Sequence, residues 1–355
     1  QNGVAVVKLE LVAPTTIAAL ASGEVEVKAT LLEPVMHGEH PNTDSVTITG
    51  LHLTATDTDG DAVTAKMSVT IDDDKPVVDV LGATTVAGGA ALNGTWTHDY
   101  NADGAGELKV VFNGTEYNVG DAIDTGNGTL TVKADGTWSF VAKTNLDMST
   151  PQTANFSVKI TDSDGDTTTS AHDVTITKGA PPTWVDPGTG DLGNNVAVHD
   201  AHLRGGAAES HTMKVGFTAG SDDITGFSLE LGTGADAPKV YAGGVELPLT
   251  WAKVGNDLIG SQNGVAVVKL ELVAPTTIAA LANGEVEVKA TLLEPIMHGE
   301  HPNTDTVTIT GLQLTVTDSD GDTATAKMSV TIDDDKPVVE VLGGTSMAEG
   351  ATLNG

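Results

Sequence analysis

Short segments in which apolar and polar residues alternate occur along most of the chain. Three of the longest are residues 266–273 (AVVKLELV), 286–293 (VEVKATLL) and 306–317 (TVTITGLQLTVT). A period of two places successive side chains on opposite faces of a β-strand, so one face can be buried. No segment shows sustained helical periodicity with capping residues, although residues 276–285 are compatible with one short helical turn. The pattern therefore predicts an all-β fold.

Turn signals that contain glycine separate these segments. Asn113-Gly114, Asp135-Gly136 and Gly243-Gly244 each stand between two alternating runs, which is a strong local signal for a β-hairpin. At three further places, residues 57–61, 162–166 and 318–322, the sequence D-x-D-G-D stands between two alternating runs. A proline follows the second run in each case. We predict that each of these hairpins closes a module.

An internal repeat sets the organisation of the chain. Residues 1–94 recur as residues 262–355 with an offset of 261, and 80 of these 94 positions are identical. No insertion or deletion interrupts the register. The chain therefore contains one full period of a tandem array and part of the next. Because its first residues lie inside a repeat, we expect it to be a portion of a longer array.

The proline-marked breaks divide each period into two modules of ordinary domain size. Residues 1–75 are predicted to be the C-terminal part of a long β-sandwich module, and residues 76–180 a complete short module. Residues 181–336 are predicted to form a complete long module, and residues 337–355 the start of the next short one. The expected fold is a linear series of two kinds of β-sandwich.

Charge and composition exclude several kinds of partner. The formal net charge is -32, which repels nucleic acid and anionic membrane surfaces. No run approaches the about 20 apolar residues that span a bilayer, so membrane insertion is not expected. Hydrophobic residues are 39% of the chain, so it should fold, but it has no cysteine for disulfides or thiolate metal sites. Small aliphatic cores of this kind need another source of stability.

The D-x-D-G-D turns are the first candidate metal ligands. Alternate carboxylates in a turn that contains glycine can converge on one hard cation, and Ca²⁺ takes six to eight oxygen ligands at about 2.3–2.6 Å. The match to an EF-hand loop is incomplete, because the glycine comes at the fourth position and no glutamate stands at the twelfth. The alternative is a simple solvent-facing turn, which also favours Asp and Gly. The candidate ligands are Asp57, Asp59, Asp61, Asp162, Asp164, Asp166, Asp318, Asp320 and Asp322.

A second acidic motif stands where each long module ends. In the sequence VTIDDDKPVV, Asp72, Asp73 and Asp74 precede Lys75 and Pro76, and the second copy supplies Asp333, Asp334 and Asp335. The last strand of a module ends where the chain leaves it, so the turn of the closing hairpin lies at the other, N-terminal end of the module. The turn of one module should therefore face the acidic C-terminal end of the preceding module. Asp72–Asp74 are therefore predicted to meet Asp162, Asp164 and Asp166, with Ca²⁺ converting their repulsion into coordination.

The junction before the long module lacks this acidic run. Its sequence is ITKGAPPTWVDPG, so a site around Asp318 would have to recruit Asp186 or backbone carbonyls. We expect this site to be weaker, or the junction to be stiffened by Pro181 and Pro182 instead.

Histidines and aromatic residues offer other candidates. His37, Glu39 and His40, repeated in the second copy, could bind a transition metal, as could His199, His202 and His211; solvated loops are the alternative. Trp138 is expected in a core, and Trp184, just after the linker prolines, is expected to seal its module. Trp96, Trp251, Tyr100 and Tyr241 could form a glycan or peptide platform. No nucleophile elbow, cysteine nucleophile or phosphate loop is present, so catalysis is not expected.

The motifs TDSDGDT…VTIDDDKPVV, LLEPxMHGEHP and GTLTVKADGTWSFVA resemble the tandem repeats of giant RTX adhesins exported by bacterial type I secretion, in the classes related to VCBS and cadherin-like modules. The resemblance covers most of the chain in pieces and is weakest over residues 184–260. It implies immunoglobulin-like extenders that bind calcium at their joints and hold a terminal adhesion domain away from the cell in biofilms. It assigns that calcium role to the aspartates of the acidic exits and hairpin turns.

The leading hypothesis is therefore an extracellular, calcium-rigidified, monomeric spacer without enzymatic activity, whose neighbours are further repeats of the same chain. A second hypothesis gives the long module a glycan or protein ligand on a cell surface. A third, a hydrolase, would need a pocket with perturbed carboxylates away from the joints.

Overall fold

The computed structural model describes residues 3–13, 16–35, 45–200, 203, 206–274, 277–297 and 306–334. The chain separates into two compact units, Gln1–Lys178 and Gly179–Gly355. The described part is almost entirely β-structure, which confirms the predicted fold class, tandem β-sandwiches. It includes the short 3₁₀ helices Gly190–Leu192 and Gly234–Asp236. No helix in the described ranges is long and apolar enough to cross a membrane.

The first unit begins with two antiparallel hairpins that form separate two-stranded sheets. Strands β1 and β2 pair with each other, and β3 pairs with β4 through the first D-x-D-G-D turn. We call these four strands the half-module. Their bounds are Val7–Ala13 (β1), Glu26–Leu31 (β2), Ser45–Thr56 (β3) and Ala62–Asp72 (β4).

The short module follows in the same unit. Its strands are Val77–Gly82 (β5), Thr85–Ala87 (β6), Ala91–Asp99 (β7), Ala105–Phe112 (β8), Thr115–Asn118 (β9), Ala122–Asp124 (β10), Gly128–Val132 (β11), Thr137–Ala142 (β12), Gln152–Thr153 (β13), Phe156–Asp162 (β14), Thr167–His172 (β15) and Thr175–Thr177 (β16). They form sheets in the orders β10-β11-β12-β7-β5, β15-β14-β8-β9 and β13-β16-β6. Only the β16–β6 pair is parallel.

The core of the short module lies between its two larger sheets. Trp138 of β12 packs against Phe156 of β14 with ring centroids 5.2 Å apart, and its Nε1 donates to the Leu81 carbonyl at 3.0 Å. Trp96 is 2% exposed and donates through Nε1 to the Lys133 carbonyl at 2.9 Å. The core is therefore not purely aliphatic, because two buried tryptophans provide much of its volume.

The hairpins predicted from local turn signals are present. Asn113 and Gly114 both have positive φ, 48° and 75°, and connect β8 to β9. Strands β11 and β12 pair as far as Val132↔Trp138, and a longer loop that contains Asp135-Gly136 connects them. In each case residues that tolerate positive φ stand where the turn requires it.

The second unit contains the complete long module. Its strands are Thr183–Trp184 (β17), Asn194–His199 (β18), Glu209–Thr218 (β19), Ile224–Leu231 (β20), Lys239–Ala242 (β21), Val245–Glu246 (β22), Thr250–Val254 (β23), Asp257–Gln262 (β24), Val265–Ala274 (β25), Asn283–Leu292 (β26), Thr306–Asp318 (β27) and Thr323–Asp333 (β28). One sheet has the order β17-β19-β26-β25-β24-β23, and the other has β18-β28-β27-β21-β22 with β20 also on β27. A single apolar cluster joins the two sheets.

The segment that was compatible with a helical turn does not form one within its described residues. Ile278 makes an isolated antiparallel bridge with Ile224, and Leu281 has a positive φ of 62° in a turn. Strand β26 then begins at Asn283. Burial of Ile278, which is 5% exposed, against the core of the sandwich outweighs the weak helix propensity of this short stretch.

Candidate cation sites

The three D-x-D-G-D turns have nearly the same backbone hydrogen bonds. The amide of the first aspartate donates to the carbonyl of the last, at 2.9 Å for Asp57, 3.0 Å for Asp162 and 2.9 Å for Asp318. The amide of the last aspartate donates to Oδ1 of the first, at 2.9, 2.7 and 2.7 Å in the same order. One oxygen of the first carboxylate is therefore occupied by the turn itself.

The other oxygen of that carboxylate is buried in two of the turns. Asp162 is 2% exposed and Asp318 is 4% exposed. Among the described residues, no N–H or hydroxyl donates to Oδ2 of either, or to the buried Oδ1 of Asp164. Buried acceptors without donors are rare in folded proteins and call for an explanation such as a bound ion.

Burial changes the acidity of both groups. Desolvation is the main cause that raises the pKa of Asp162 to about 6, and a hydrogen bond with the Asp164 carboxyl is the next. The pKa of Asp318 is raised to about 6 in the same way, first by desolvation and then by a hydrogen bond with Asp320. A cation bound beside these groups would reverse both effects, because it stabilises the ionised form.

An acidic cluster lies where the half-module meets the short module. Asp73 follows β4, Asp103 follows β7, and Asp164 is in the turn between β14 and β15; carboxylate oxygens of the three lie within 4.8 Å of one another. Desolvation, a hydrogen bond with Asp74 and the charge of Asp164 raise the pKa of Asp103 to about 7. The acidic exit and the hairpin turn are therefore brought together, and Asp103 joins them.

Hydrogen bonds hold the exit segment against the short module. The Asn101 side chain donates to the Lys75 carbonyl at 2.7 Å, and the Ala102 amide donates to Oδ2 of Asp74 at 3.1 Å. Asn101 has a φ of 55°, a conformation that asparagine tolerates better than most residues. Pro76 is buried immediately after the exit. These contacts hold the acidic exit beside the short module.

A second cluster, more buried than the first, lies in the long module. Asp222, Asp318 and Asp320 have carboxylate oxygens within 4.8 Å of one another. Ser221 Oγ donates to Oδ2 of Asp222 at 2.6 Å. Asp186, the partner suggested by the sequence, is not in this cluster; it is exposed and accepts a hydrogen bond from the Gly188 amide at 2.8 Å. Asp222 takes its place because strand pairing, not sequence proximity, determines the neighbours of this turn.

Both clusters are built by the same strand register. Asp162 is paired with Ala105, and Asp318 is paired with Ile224, each beside a β-bulge. The additional aspartate stands two residues before the paired residue in both modules, at Asp103 and Asp222. The bulge turns the preceding backbone toward the hairpin turn. Two modules of different length thus present a third carboxylate in the same way.

The remaining predicted ligands are not members of these two clusters or lie outside the described residues. Asp57, Asp59 and Asp61 form an exposed cluster of their own, in which hydrogen bonding from Asp59 and from the turn amides lowers the pKa of Asp57. Asp72 is exposed and paired with Ser45 in the ladder. Asp166 and Asp322 belong to neither three-residue group. Asp335, His37, Glu39, His40 and His202, with the second copy of the histidine motif, lie outside the described residues.

Asp333 and Asp334 lie near the end of β28, among other polar groups. Oδ2 of Asp333 is 2.9 Å from Nδ1 of His199, and His211 Nε2 is 2.9 Å from Oε1 of Glu209. Asp334 lines a cleft together with Asp200 and Glu294. The ring centroids of His199 and His211 lie 6.1 Å apart, and each histidine pairs with a carboxylate.

The four candidate platform aromatics lie in different surroundings. Trp96 is in the core, Tyr100 packs against that core, and Trp251 is partly buried against the core of the long module. Tyr241 lines a cleft of about 410 Å³ with Lys239, Lys327 and Asp236.

The donor set of these two clusters fits a hard cation. Two ligands on opposite sides of Ca²⁺ are about 5 Å apart at most. Oxygen separations within 4.8 Å, all from carboxylates, are compatible with this limit. The sites contain no thiolate or imidazole, which transition metals would favour.

Comparison with known proteins gives a structural context only. No family model and no curated protein matches the chain. Similar solved structures include protocadherin gamma B2 extracellular cadherin domains 3–6 (10% identity, 84% of this chain and 85% of that chain, TM-score 0.23). Others are a tetra-tandem repeat in the extending region of a large adhesion protein (14%, 88% and 64%, 0.22) and the sialic acid binding region of a Streptococcus sanguinis SK1 adhesin (10%, 75% and 78%, 0.21). At these TM-scores the likeness supports no functional argument.

Proposed function

We propose that this chain is a calcium-rigidified extender segment of a bacterial cell-surface adhesin, which projects a distal adhesion domain in biofilm formation or host attachment. The observation that carries the proposal is the convergence of Asp73, Asp103 and Asp164 at the boundary between two modules. The tandem repetition supports it, since an added repeat lengthens a spacer without requiring a new recognition surface.

Electrostatics gives the cation its role. A pair of like charges about 4 Å apart costs on the order of 1–4 kcal/mol, depending on the effective dielectric. The three carboxylates of the junction therefore push the exit of the half-module away from the short module when no ion is present. A divalent cation replaces this repulsion with attraction to each carboxylate. Because its ligands come from both modules, the ion binds best when the two modules hold a single orientation.

Calcium would occupy such a site outside the cell. Calcium sites of extracellular modules have dissociation constants of about 10⁻⁴–10⁻³ M. Secretion into millimolar calcium would load the joints only after export. The absence of cysteine is compatible with stability that comes from metal instead of disulfides.

Small-angle scattering and calorimetry on the same sample test the proposal. In millimolar Ca²⁺ we expect a longer maximum dimension and a higher Tm than in excess EDTA, because an ion that binds only the native state stabilises it. The variant Asp73→Asn should reduce both effects, whereas Asp79→Asn, an exposed carboxylate on β5, serves as the matched control. Identical length and melting in the two conditions would reject calcium rigidification.

A specific observation also supports a second candidate, recognition of a glycan or protein by the long module. The Tyr241 cleft combines an aromatic face with the Lys239 and Lys327 ammonium groups, and its about 410 Å³ falls in the range of small-ligand sites. Gly311, whose φ is 76°, forms the β-bulge in β27 that lines this cleft. A glycan array with the wild type and Tyr241→Ala tests this function. Binding that is absent, or unchanged by the substitution, would remove it.

A further inference from the structure

The Tyr241 cleft lies where strand β27 of the long module changes its partner strand. Strand β21 pairs with β27 as far as Lys239↔Thr310, and β20 pairs with it from Leu312 onward. A β-bulge at Thr310 and Gly311 separates the two pairings. The loop of residues 232–238, which connects β20 to β21, lies beside this bulge and forms one wall of the cleft.

Close backbone contacts fix that wall. The Gly232 amide donates to the Gly311 carbonyl at 2.8 Å. A Cβ at Gly311 would lie 2.5 Å from the Ala237 carbonyl oxygen, and a Cβ at Gly232 would overlap the carbonyl oxygen of Asp236. Both positions therefore require glycine, because the loop packs directly on the bulge. A wall held in this way loses little conformational entropy when a ligand binds.

The side chains that line the cleft combine an aromatic ring with charged groups. Both sequence neighbours of Tyr241 are buried, so its own side chain and that of Lys239 lie on the outer face of β21. Lys327 of β28 places its Nζ 3.5 Å from Oδ1 of Asp236 in the loop. Thr310 and Gln313 add a hydroxyl and an amide. The cleft therefore offers an apolar ring, cations and hydrogen-bonding groups together.

The charge of the cleft is opposite to that of the chain as a whole. Acidic residues outnumber basic ones 49 to 17 in the sequence. In the described lining of the cleft, two lysines stand with a single carboxylate, that of Asp236. Within the part of the chain that the structure describes, Lys239 makes no ion pair. Its ammonium group can therefore bind an anionic group of a ligand, and such charge-assisted hydrogen bonds are about twice as strong as neutral ones.

The lining favours a saccharide over an acidic peptide. The apolar face of a sugar ring can pack against the ring of Tyr241. Sugar hydroxyls can donate to the Asp236 carboxylate and exchange hydrogen bonds with Thr310 and Gln313. An acidic peptide would bring further carboxylates toward Asp236, which repels them. A sugar that carries one carboxylate satisfies both the lysines and the hydrogen-bonding groups.

We propose that the Tyr241 cleft binds an acidic saccharide, with Lys239 as the main partner of the sugar carboxylate and Tyr241 packed against a sugar ring. The inference rests on the second candidate function above, recognition by the long module, and names its ligand class. It does not depend on calcium, since no residue of the lining belongs to either cluster of three aspartates. Lys327 stands near the middle of β28, away from both ends of the module.

The repeat gives the cleft a further property. The residues that β27 and β28 contribute to it have counterparts in the first copy, Thr49, Gly50, Leu51, His52 and Lys66, of which only His52 differs in type. A tandem array therefore repeats this part of the cleft once per period. Sites repeated along one chain bind a polysaccharide with greater avidity than a single site does.

NMR titration of the full-length chain tests the ligand class. The probes are a galacturonate trimer, its carboxyl-reduced galactose trimer and a triglutamate peptide, in buffer freed of calcium so that no ion bridges a uronate to the acidic clusters. We expect the galacturonate trimer to shift the signals of residues 235–241 and to bind at least about tenfold more tightly than the other two. Sialyllactose and lactose form a second pair, which distinguishes a sialic acid from a uronate as the carrier of the carboxylate; preference for either acidic sugar supports the proposal.

Variants of the full chain assign the roles of the side chains. Lys239→Ala should weaken binding of the galacturonate trimer about tenfold and leave the reduced trimer unchanged, whereas Tyr241→Ala should weaken both. Lys239→Arg should restore most of the preference because it keeps the positive charge. Lys214→Ala is the matched control, since this lysine lies in the other sheet and pairs with Glu285. It should bind both trimers as the wild type does.

The outcomes separate this inference from the functions on which it rests. Equal binding of acidic and neutral sugars, or a preference that Lys239→Ala leaves unchanged, would overturn the acidic ligand but leave saccharide recognition in place. Binding of no saccharide would overturn both. Tighter binding of triglutamate would assign the cleft to an acidic protein segment and overturn the proposal. Calcium rigidification is tested separately, by the scattering and calorimetry described above.

Discussion

Asp73 and Asp164 have carboxylate oxygens within 4.8 Å of each other, although one ends the half-module and the other is in the closing turn of the short module. Asp103 completes the group from a third segment. This relationship predicts opposite effects of a neutral substitution with and without calcium, because the same charges repel one another and attract the ion.

Asp164→Asn is expected to raise the Tm of the short module in EDTA and to reduce the Tm increase that calcium produces. Removal of one like charge should stabilise the metal-free state by about 1 kcal/mol, or about 4–8 °C for a domain of this size. Differential scanning calorimetry in both conditions checks the crossover. Asp79→Asn, which removes an exposed charge, should shift both transitions by less; a variant that lowered Tm equally in both conditions would contradict the account.

The raised pKa values predict how the metal-free protein responds to pH. The pKa of Asp103 rises from 3.8 to about 7, and those of Asp162 and Asp318 rise to about 6. Between pH 4 and 7 the folded state therefore binds more protons than the unfolded state, so its stability falls as pH rises through this window. In calcium the fall should largely disappear, because the ion favours the ionised carboxylates.

Thermal unfolding from pH 4.5 to 8, in EDTA and in calcium, measures this difference. Asp103→Asn should reduce the slope of the EDTA profile of the short module, leaving the contribution of Asp162 there and that of Asp318 in the long module. A Tm in EDTA that rises steadily across the whole window would show that these carboxyls do not retain their protons in the folded state.

The second cluster gives a direct comparison between two aspartates. Asp222→Asn should remove calcium binding in the long module, since Asp222 lies with Asp318 and Asp320. Asp186→Asn should leave it intact, because Asp186 is exposed and only bonds the Gly188 amide. Isothermal titration should show the loss of one class of site in the first variant alone. Equal loss in both would mean that the ion is held elsewhere.

The parts of these sites that could be predicted are the ones that depend on local sequence. Glycine and asparagine set the turn at Asn113-Gly114, and the D-x-D-G-D sequence sets the turn at Asp162. Asp103 and Asp222 could not be found in this way, because their positions depend on which strand pairs with β14 or β27 and in which register. An aspartate two residues before the paired strand residue carries no separate local signal.

The side-chain amide of Asn101 is predicted to restrict the motion of the exit segment. Asn101→Gly keeps the positive φ but removes the hydrogen bond to the Lys75 carbonyl, which should cost about 1 kcal/mol and loosen the exit segment. Asn113→Gly, at a positive φ in a hairpin within the module, is the matched control. Residual dipolar couplings in EDTA should show greater motion of the half-module relative to the short module only in Asn101→Gly. Unchanged couplings would mean that Pro76 alone fixes this segment.

The short module has no space for a side chain at Gly94. A Cβ at this position would lie 2.3 Å from Cε2 of Trp138 and 2.4 Å from the Leu81 carbonyl oxygen. Gly94→Ala should therefore destabilise the short module by at least about 2 kcal/mol. Gly114→Asn, at a turn where nothing lies within 4 Å, should have little effect. Chemical denaturation followed by tryptophan fluorescence checks both, and a neutral Gly94→Ala would show that the ring moves freely.

The four tryptophans divide evenly between the two kinds of module. Trp96 and Trp138 are almost fully buried in the short module, whereas Trp184 and Trp251 are partly exposed in the long one. Buried indoles emit at shorter wavelengths than solvated ones, so the two kinds of module should differ in the wavelength of their tryptophan fluorescence. The unfolding order of a long array under heat or force can therefore be followed optically, without attaching a dye to any repeat.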